Sequence, residues 1–551
     1  MRYDFPRYET DQLVSLLGSK RSLQAPLRLI LEELLPARGQ ALFLDPFCGS
    51  GAVSRIARIL GCKVVAGDVE PFAFILNHVY LTLHNQDLTT MFAEMGGLDA
   101  YLSMLNLQGL YAATSGKDLP YGYLSRYYAP KDDTHYDGER ERLYYTRFNA
   151  LFLDTVREEI EQGWLAGRVS AVEKAIVLAC ILYEASRRAN TSGSFTAYLK
   201  RFGSYEGTAL SRIAGTSELS APMLPEKGTA RGSMHVEEAS ALVKRFRADI
   251  CFLDPPSSIH QYGSAYHLLN SITLWDHLAP GMERDAQGKL MDRSGIRSDW
   301  KQTHSPYCSL KKADAAMIHL LGCVDARYIV LTYPNSGILS LQRIHELLSA
   351  RHAPVRVIPL AKRNQGGRQP VSGSKKNIEQ VFITGKAAST VMMVGESMEK
   401  LPYIARLQEL TNSVFRPKAI QGPLALIGGV LLDKLPPAHV LLSYDVQTLA
   451  GIVSDVSAAQ CATIEESLDV MVEALEEDAS CKIDGKGRVR LEKRILSILR
   501  RSCDSSHRQQ FDALFMRVCA KVQGKPRMLS LGRHLNALGE AADFRIGDVV
   551  D

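Results

Sequence analysis

The sequence predicts an α/β fold in which a helical insertion interrupts the sheet and an α-helical domain follows it. Strand and helix patterns alternate through residues 1–85 and again through residues 230–386, as in a parallel sheet covered by helices. Between residues 86 and 229 the alternation is lost, and the interpretable pattern is helical. Residues 387–551 show amphipathic helices. The expected organisation is therefore a two-part α/β domain, an insertion and a C-terminal domain.

The α/β domain is organised around residues 41–51, which read Ala-Leu-Phe-Leu-Asp-Pro-Phe-Cys-Gly-Ser-Gly. The apolar residues predict a buried strand with Asp45 at its carboxyl end. Gly49 and Gly51 allow a tight backbone turn before a helix that is expected from residue 52 to about residue 60. A strand, a glycine loop and a helix in this order form a nucleotide-type cradle.

Two more strands are predicted to end in a carboxylate. The strand over residues 62–67 leads into Asp68, about where an α/β cofactor fold places a partner for ribose hydroxyls. The strand over residues 248–253 leads into the run 254–257, Asp-Pro-Pro-Ser. Because two prolines stiffen that run, the aspartate carboxylate and a proline carbonyl are presented toward one point.

Together these segments resemble the Dam-like class of adenine-specific DNA methyltransferases, which use S-adenosylmethionine. The resemblance covers about residues 10–385 and rests on motifs in the family's order. The further motifs are Leu17-Gly18-Ser19-Lys20-Arg21, Asn190-Thr191-Ser192-Gly193-Ser194-Phe195 with Tyr198-Leu199-Lys200, Gln261-Tyr262-Gly263 with Tyr266-His267, and Thr332-Tyr333-Pro334-Asn335-Ser336-Gly337. The resemblance implies a Rossmann-like methyltransferase sheet with a helical insertion and an α-helical C-terminal domain.

The resemblance also implies a set of residues that bind S-adenosylmethionine. The expected cofactor-binding residues are Lys20, Asp45, Phe47, Gly49, Gly51, Asp68 and Asp254. In the family, the segment around Lys20 helps bind the methionine part of the cofactor and borders the target-base pocket; the alternative is a solvated loop lysine. Glu237 or Glu238 corresponds to the family's acidic residue near the cofactor adenine, and the sequence leaves this choice open. No metal site is expected.

The chemistry expected at the strand ends is methyl transfer to the exocyclic amine of adenine in double-stranded DNA. That nitrogen is a poor nucleophile because its lone pair is delocalised into the ring. A carboxylate and a carbonyl that accept its N–H groups localise the pair, so that the nitrogen can attack a sulfonium methyl in line. Within the expected catalytic run Asp254, Pro255, Pro256 and Ser257, the acceptors are the Asp254 carboxylate and the Pro255 carbonyl.

Ser257 is the main departure from the family, which has a tyrosine after the two prolines to stack on the flipped-out base. The absence of this tyrosine should cost about 1–3 kcal/mol of base stacking. That cost corresponds to about a tenfold to a hundredfold loss of activity unless another group compensates. Tyr262, Tyr266 and Phe47 are the candidates for compensation. The alternative is a catalytically impaired enzyme.

DNA contacts are predicted in two places. The insertion lies where Dam-like enzymes carry their target-recognition region, and its turn around Asn190 combines basic and aromatic residues that suit phosphate contact and base stacking. The glycine-rich basic loop that begins at Lys362 suits a clamp on the DNA backbone. A polar turn and a solvated loop are the alternatives. The expected substrate contacts are Tyr262, Tyr266, Asn190, Lys200, Lys362 and Arg363.

Composition is that of a soluble globular protein of two or three domains, with 551 residues of which 46% are hydrophobic and 23% charged. A net charge of +5 is mild, so a nucleic-acid surface has to come from local clustering. The ten cysteines show no zinc-binding spacing. Because neither a bilayer-spanning run nor an apolar leader is evident, we expect a cytoplasmic protein.

The C-terminal domain lies beyond the resemblance. Thr463 and Glu466 form a predicted capping box before an acidic amphipathic helix, and a basic amphipathic helix containing Leu491 and Ile495 follows. Opposite charges indicate two helices on one small core. DNA binding by the basic helix and attachment of a protein partner are alternatives.

Two functional hypotheses follow from the sequence. The first is an N6-adenine DNA methyltransferase of a restriction-modification or phage-defence system. The second is a DNA-binding or complex-forming subunit that keeps the methyltransferase fold but does little chemistry, with Ser257 as the sign of lost function. Methylation of RNA or of cytosine is a third possibility, because it uses the same strand-end arrangement.

Overall fold

The chain forms two compact units, one over Tyr3–Val391 and the other over Met392–Asp551 with residues 1–2. The computed structural model describes residues 7–35, 40–203, 209–226, 228–351, 354–361, 378–385, 403, 406–407, 410, 414–416, 444–476, 485–502, 508–525 and 528–541. No helix in these ranges combines the length and the apolar character needed to cross a membrane.

A seven-stranded sheet organises the first unit, in the order β3-β2-β1-β4-β5-β7-β6. The strands are β1 (Leu42–Asp45), β2 (Lys63–Asp68), β3 (Ser233–Val236), β4 (Arg247–Leu253), β5 (Asp325–Pro334), β6 (Val355–Ala361) and β7 (Ile378–Gly385). Neighbouring strands are parallel except at β7, which is antiparallel to both β5 and β6. The predicted α/β fold is confirmed. Because β1 and β4 are neighbours, the segments that follow Asp45 and Leu253 meet at one edge.

Helices cover the sheet and build the insertion. They are α1 (Arg7–Thr10), α2 (Gln24–Leu34), α3 (Ala52–Ile59), α4 (Pro71–Thr82), α5 (Leu98–Ser115), α6 (Leu124–Tyr127), α7 (Arg147–Leu165), α8 (Ala171–Arg188), α9 (Leu210–Ile213), α10 (Ala239–Lys244), α11 (Tyr262–Ala265), α12 (His267–Leu274), α13 (Ala313–Cys323) and α14 (Leu341–Ser349). One face of the sheet packs on α10, α13 and α14 in a shared apolar core.

The insertion is joined to the sheet domain through a common hydrophobic core. Leu76 of α4, Phe152 of α7, Ile181 of α8 and Leu269 of α12 belong to the same buried cluster. α4 follows β2, and α12 follows the Asp-Pro-Pro-Ser run after β4. Two helices that begin near the strand ends are therefore fixed by the insertion.

The second unit contains helices Val446–Ala459, Ile464–Glu476, Gly485–Ser502, Arg508–Val522 and Leu529–Ala541. The predicted acidic and basic helices are present, and Leu475, Leu491 and Phe515 share one core. Thr463 caps the acidic helix by accepting a hydrogen bond from the Glu466 backbone N–H at 3.1 Å. The Glu466 carboxylate accepts from the Ala462 N–H instead of the Thr463 N–H that the capping box predicts.

Candidate active site

The loop after β1 is a rigid cradle. Gly49 and Gly51 both have positive φ, at +49° and +77°. Asn77 of α4 donates from Nδ2 to the Gly49 carbonyl at 2.8 Å. A Cβ atom at position 51 would lie 2.2 Å from Asn77 Oδ1. The tight turn predicted at these glycines is present, and α4 packs too close to it for any side chain at Gly51.

Two aspartates lie beside this loop. Asp68 ties the loop to the end of β2, because Oδ2 accepts from the Gly49 N–H at 2.9 Å and Oδ1 accepts from the Glu70 N–H at 3.0 Å. Asp45 accepts from the Ser54 hydroxyl at 2.6 Å through Oδ2. Its buried Oδ1 has no hydrogen-bond partner among the described residues. Burial raises the pKa of Asp45 to about 7, against the opposing effect of the Ser54 hydrogen bond.

Lys20 lies at the centre of the site. Its Nζ is 2.6 Å from Asp254 Oδ1 and 3.2 Å from Glu379 Oε1. Lys20 is 5% exposed and Glu379 is 1% exposed, so the lysine is a buried residue rather than a solvated one. Burial disfavours its charged form, but the Asp254 and Glu379 carboxylates outweigh burial and raise the pKa of Lys20. Thr332 Oγ1 also donates to Asp254 Oδ1, at 2.8 Å.

Sequence reasoning missed Glu379, although one feature could have identified it. The residue is an acidic side chain within the apolar strand β7, which reads Ile-Glu-Gln-Val-Phe-Ile-Thr-Gly. A carboxylate buried in a sheet requires a partner, because an unpaired charge is costly away from water. The sequence does not identify that partner, since Lys20 lies more than 350 positions away.

A cavity of about 310 Å³ opens onto these groups and is here called the cofactor cavity, after the predicted cofactor-binding residues in its lining. Of the predicted cofactor-binding residues, its lining contains Lys20, Asp45, Phe47, Gly49, Asp68 and Asp254. Gly51 lies behind the lining and shapes the turn. Pro256 and Tyr262 also line the cavity, whereas Pro255 and Ser257 do not. The structure therefore brings together segments that are far apart in the sequence.

Two glutamates also line the cavity, one of which was a candidate from the sequence. Glu238 lines the cavity, whereas Glu237 is paired with Arg245, so of the two candidates the structure favours Glu238 for the acidic residue that the resemblance predicts. Glu70 is buried, with Oε2 accepting from Asn270 Nδ2 at 2.6 Å. Burial raises the pKa of Glu70 to about 7. Sequence analysis did not single out Glu70.

A segment without regular periodicity closes one side of the cavity. Gln302 to Tyr307 line it, and the Tyr307 ring meets the Phe47 ring edge-on at 5.2 Å between centroids. Gln261 fixes the segment, since its Oε1 accepts from the Ser305 N–H at 2.8 Å and its Nε2 donates to the Ser305 carbonyl at 3.2 Å. The sequence motif at Gln261 therefore has a structural role at the cavity wall.

Ser257 and the two tyrosines expected to compensate for it differ in position. Ser257 is half-buried, and its carbonyl accepts from the Ile338 N–H at 2.9 Å. Tyr262 lines the cavity and donates to the Leu17 carbonyl at 3.0 Å. Tyr266 is fully buried, packs on Phe72 and accepts from the Leu17 N–H. The structure thus gives Tyr266 a structural role in place of the predicted substrate contact.

The predicted DNA contacts in the insertion differ in exposure. Asn190 is buried, and its Nδ2 donates to the carbonyls of Leu143 at 2.9 Å and Leu199 at 3.0 Å. Its Oδ1 accepts from the Gly203 N–H, so the side chain is used inside the protein and the geometry favours the alternative of a structural turn. Lys200 is exposed. The predicted contacts Lys362 and Arg363 lie outside the described residues.

Comparison with known proteins indicates one family. Residues 17–280, 264 of the 551, match the model of the D12 class N6 adenine-specific DNA methyltransferases. This match supports the adenine-specific DNA methyltransferase family that the sequence predicts. It is 27% identical to type II methyltransferase M.NlaIII of Neisseria lactamica over 61% of this chain and 87% of that protein. Type II methyltransferase M.CviAII of Paramecium bursaria Chlorella virus 1 is 26% identical, over 61% of this chain and 88% of that protein.

The match to a third relative covers only part of that relative's length. Type II methyltransferase M.FokI of Planomicrobium okeanokoites is 24% identical over 76% of this chain but only 59% of that protein. The D12 match includes the cradle, Asp254 and the segment to residue 280, and it ends before β5 and β7. The Thr332 and Glu379 contacts are therefore features that the structure adds to the family assignment.

Asp45 makes the free energy of unfolding depend on pH, and the isosteric substitution Asp45→Asn should remove that dependence. Its pKa is raised from 3.8 to about 7 in the folded chain. The folded state therefore holds a proton that the unfolded state loses, and the free energy of unfolding falls by up to about 4 kcal/mol as pH rises across that interval. We expect Asp45→Asn to lose less stability than the parent between pH 4 and pH 8, as measured by denaturant unfolding.

The matched control is Asp99→Asn, which removes an exposed carboxylate. That variant should keep the pH dependence of the parent. An Asp45→Asn chain whose stability falls as steeply as that of the parent would show that Asp45 does not hold a proton in the folded state.

Proposed function

We propose that this chain transfers a methyl group from S-adenosylmethionine to the N6 amine of adenine in double-stranded DNA, as the modification enzyme of a restriction-modification or phage-defence system. The match to the N6 adenine-specific family model supports the reaction, and similarity to relatives named type II methyltransferases supports the biological setting. The structural observation that carries the proposal is the buried contact of Lys20 with Asp254 at the wall of the cofactor cavity.

The cavity suits S-adenosylmethionine in charge, and its volume of about 310 Å³ is that of a small-molecule site. When bound, this cofactor supplies an electrophilic methyl group on a cationic sulfonium centre. Asp45, Asp68 and Asp254 give the lining acidic character, and Asp45 Oδ1 is a buried acceptor with no partner in the described part of the chain. Asp68 and Glu238 offer acceptors for hydroxyl or amine donors. These residues would hold the cofactor at the ends of β1, β2 and β4.

Asp254 has the arrangement of an acceptor for the target amine. Its Oδ1 is occupied by Lys20 and Thr332, which fix the carboxylate orientation. Its Oδ2 receives no hydrogen bond from the described residues and is the oxygen proposed to accept one N–H of adenine. The Pro255 carbonyl accepts the other N–H. Together these acceptors localise the nitrogen lone pair, and the carboxylate offsets positive charge as the nitrogen gains the methyl group.

Glu379 acts on the reaction through Lys20. An unbalanced ammonium group beside Asp254 would disfavour a target nitrogen that becomes positively charged. With Glu379 3.2 Å from Nζ, the cation is shared between two carboxylates, and Asp254 keeps part of its negative charge for the substrate. Glu379 is therefore proposed as a positioning residue.

The observed geometry supports an active enzyme despite Ser257. The Lys20, Asp254 and Thr332 contacts are complete, which favours an active enzyme over a subunit that has lost function. Phe47, Tyr262 and Tyr307 supply aromatic surface in the cavity lining. The proposed compensation for the missing tyrosine comes from Phe47 or Tyr262.

Several assignments from the sequence remain proposals. The insertion, residues 86–229, is proposed to read the DNA sequence, and Lys200, Lys362 and Arg363 to contact the DNA backbone. Residues 387–551 are proposed to attach a protein partner. The proposed compartment is the cytoplasm, where a modification enzyme meets its DNA.

The base that receives the methyl group tests the proposed function. The chain is incubated with labelled S-adenosylmethionine and a duplex DNA pool of varied sequence, and the nucleosides are then separated. We expect label in N6-methyl-2′-deoxyadenosine. We expect no label in a control pool whose adenines are already N6-methylated. Label in methylated cytosine, or cofactor binding without transfer, would contradict the proposal. Transfer in a parallel incubation with RNA, but not with DNA, would also contradict it.

Restoring the missing tyrosine tests the role of Ser257. Ser257→Tyr supplies a ring worth about 1–3 kcal/mol of base stacking. We expect the methyl-transfer rate to rise by up to about a hundredfold or to stay unchanged where Phe47 or Tyr262 already stacks. The control is Ser258→Tyr, which places the same ring at an exposed neighbouring position. A large fall in rate confined to Ser257→Tyr would show that the serine has its own role in the pocket.

A further inference from the structure

A second concave site, here called the basic cavity, lies between the insertion and the segment after α12. Its volume is about 210 Å³. One wall comes from a hairpin closed by an antiparallel bridge between Arg284 and Leu290, and the Leu290 N–H donates to the Glu139 carbonyl at 3.0 Å. Charged side chains dominate the lining. The cations are Arg126, Lys131, Arg140, Arg142, Arg147 and Arg284, and the acids are Asp118 and Glu141.

Arg142 builds the cavity. It is 2% exposed and crosses from the insertion to the hairpin segment. Its guanidinium donates to backbone carbonyls on both sides. The acceptors are the carbonyls of Tyr127, Gly281, Asp292 and Arg293. The Asp292 carboxylate lies 4.0 Å away, so carbonyl dipoles rather than a close carboxylate satisfy this buried charge. Its positive field therefore extends into the cavity.

The two acids in the lining already have partners. Asp118 is paired with Arg147. The Glu141 carboxylate accepts from the backbone N–H groups of Lys131 at 2.9 Å and Asp137 at 3.3 Å. These contacts leave the cationic side chains in excess. The structure records no hydrogen bond or ion pair for the exposed side chains of Arg126 and Lys131 within the described ranges.

We propose that the basic cavity binds a phosphate group of the DNA backbone. The proposal rests on the proposed function and deepens it by naming a contact that the sequence did not identify. A concave site with excess positive charge attracts an anion, and arginine and lysine are the side chains that bind phosphate in protein–DNA complexes. Because a phosphate carries no base identity, this contact supplies affinity and register but no sequence preference.

The segment that forms the basic cavity also reaches the cofactor cavity. After the hairpin, Arg297 pairs with Asp276 and Asp299 and fixes the chain. Gln302 and Tyr307, a few residues later, line the cofactor cavity. A phosphate held by Arg126 and Lys131 would therefore anchor DNA against the same segment that closes the cofactor site.

The test is DNA binding by the full chain with Arg126→Gln and Lys131→Gln together. Duplexes that accept label and duplexes that do not are titrated between 50 and 200 mM salt. Affinity should fall by the same factor for both kinds of duplex. Removing two phosphate contacts should also reduce the loss of affinity across this salt range by about tenfold. Cofactor binding should stay at the parent level.

Two further variants separate the site from bulk charge and from folding. Arg168→Gln with Lys244→Gln removes two exposed cations elsewhere and should leave DNA affinity near the parent value. Arg126→Lys with Lys131→Arg keeps both charges and should bind like the parent. A loss in either control as large as in the test variant would overturn the proposal.

The outcomes also separate this inference from the proposed function. A parent chain that binds DNA and methylates adenine, with a test variant of unchanged affinity and salt dependence, overturns the phosphate site alone. A loss of affinity confined to the duplexes that accept label would show base readout instead, and it would also overturn the phosphate site. A parent chain that binds no DNA overturns both proposals.

Discussion

A buried lysine held between two carboxylates is the interaction on which the catalytic end of the sheet depends. Lys20 comes from the N-terminal segment, Asp254 follows β4, and Glu379 lies in β7. Removing charges from water is costly, and that cost is offset here only because the three groups meet with short contacts. The loss of Lys20 would leave two carboxylates facing each other in a poorly hydrated site. These three groups therefore couple the folding of three distant segments to the geometry of the active site.

The same region concentrates negative charge at the expense of stability. Asp45 and Glu70 both have pKa values raised to about 7 by burial, and each has one carboxylate oxygen without a partner among the described residues. Such groups are unfavourable in an empty protein but suit a cationic ligand. A site of this kind trades folding free energy for affinity, which is a common property of functional sites. Ser54 Oγ holds the Asp45 carboxylate at 2.6 Å, and Asn270 Nδ2 holds the Glu70 carboxylate at 2.6 Å.

The sheet and the cofactor loop could be predicted from the sequence because their information is local. Apolar runs identified the strands, and Gly49, Gly51 and Asp68 identified the cradle. Parallel strands then bring their carboxyl ends to one edge, which places Asp254 beside the loop. Family resemblance supplied the expected chemistry, and the D12 match over residues 17–280 supports the family.

The remaining features depend on contacts between distant residues. Tyr266 and Asn190 were expected to contact substrate because polar and aromatic side chains in motifs suggest binding, yet both are buried and hydrogen-bonded within the protein. Burial of that kind is not visible in one sequence. Glu379 was missed because its partner is far away in the chain, and the wall from Gln302 to Tyr307 was missed because an irregular segment has no periodicity.

The central claim is that the Asp254 carboxylate activates the target amine. Single-turnover methyl transfer by Asp254→Ala tests it most directly, since Lys20 keeps Glu379 and the Gly18 carbonyl as partners in that variant. The account predicts retained cofactor and DNA binding with a rate at least about a hundredfold lower, and a rate equal to that of the parent would contradict it.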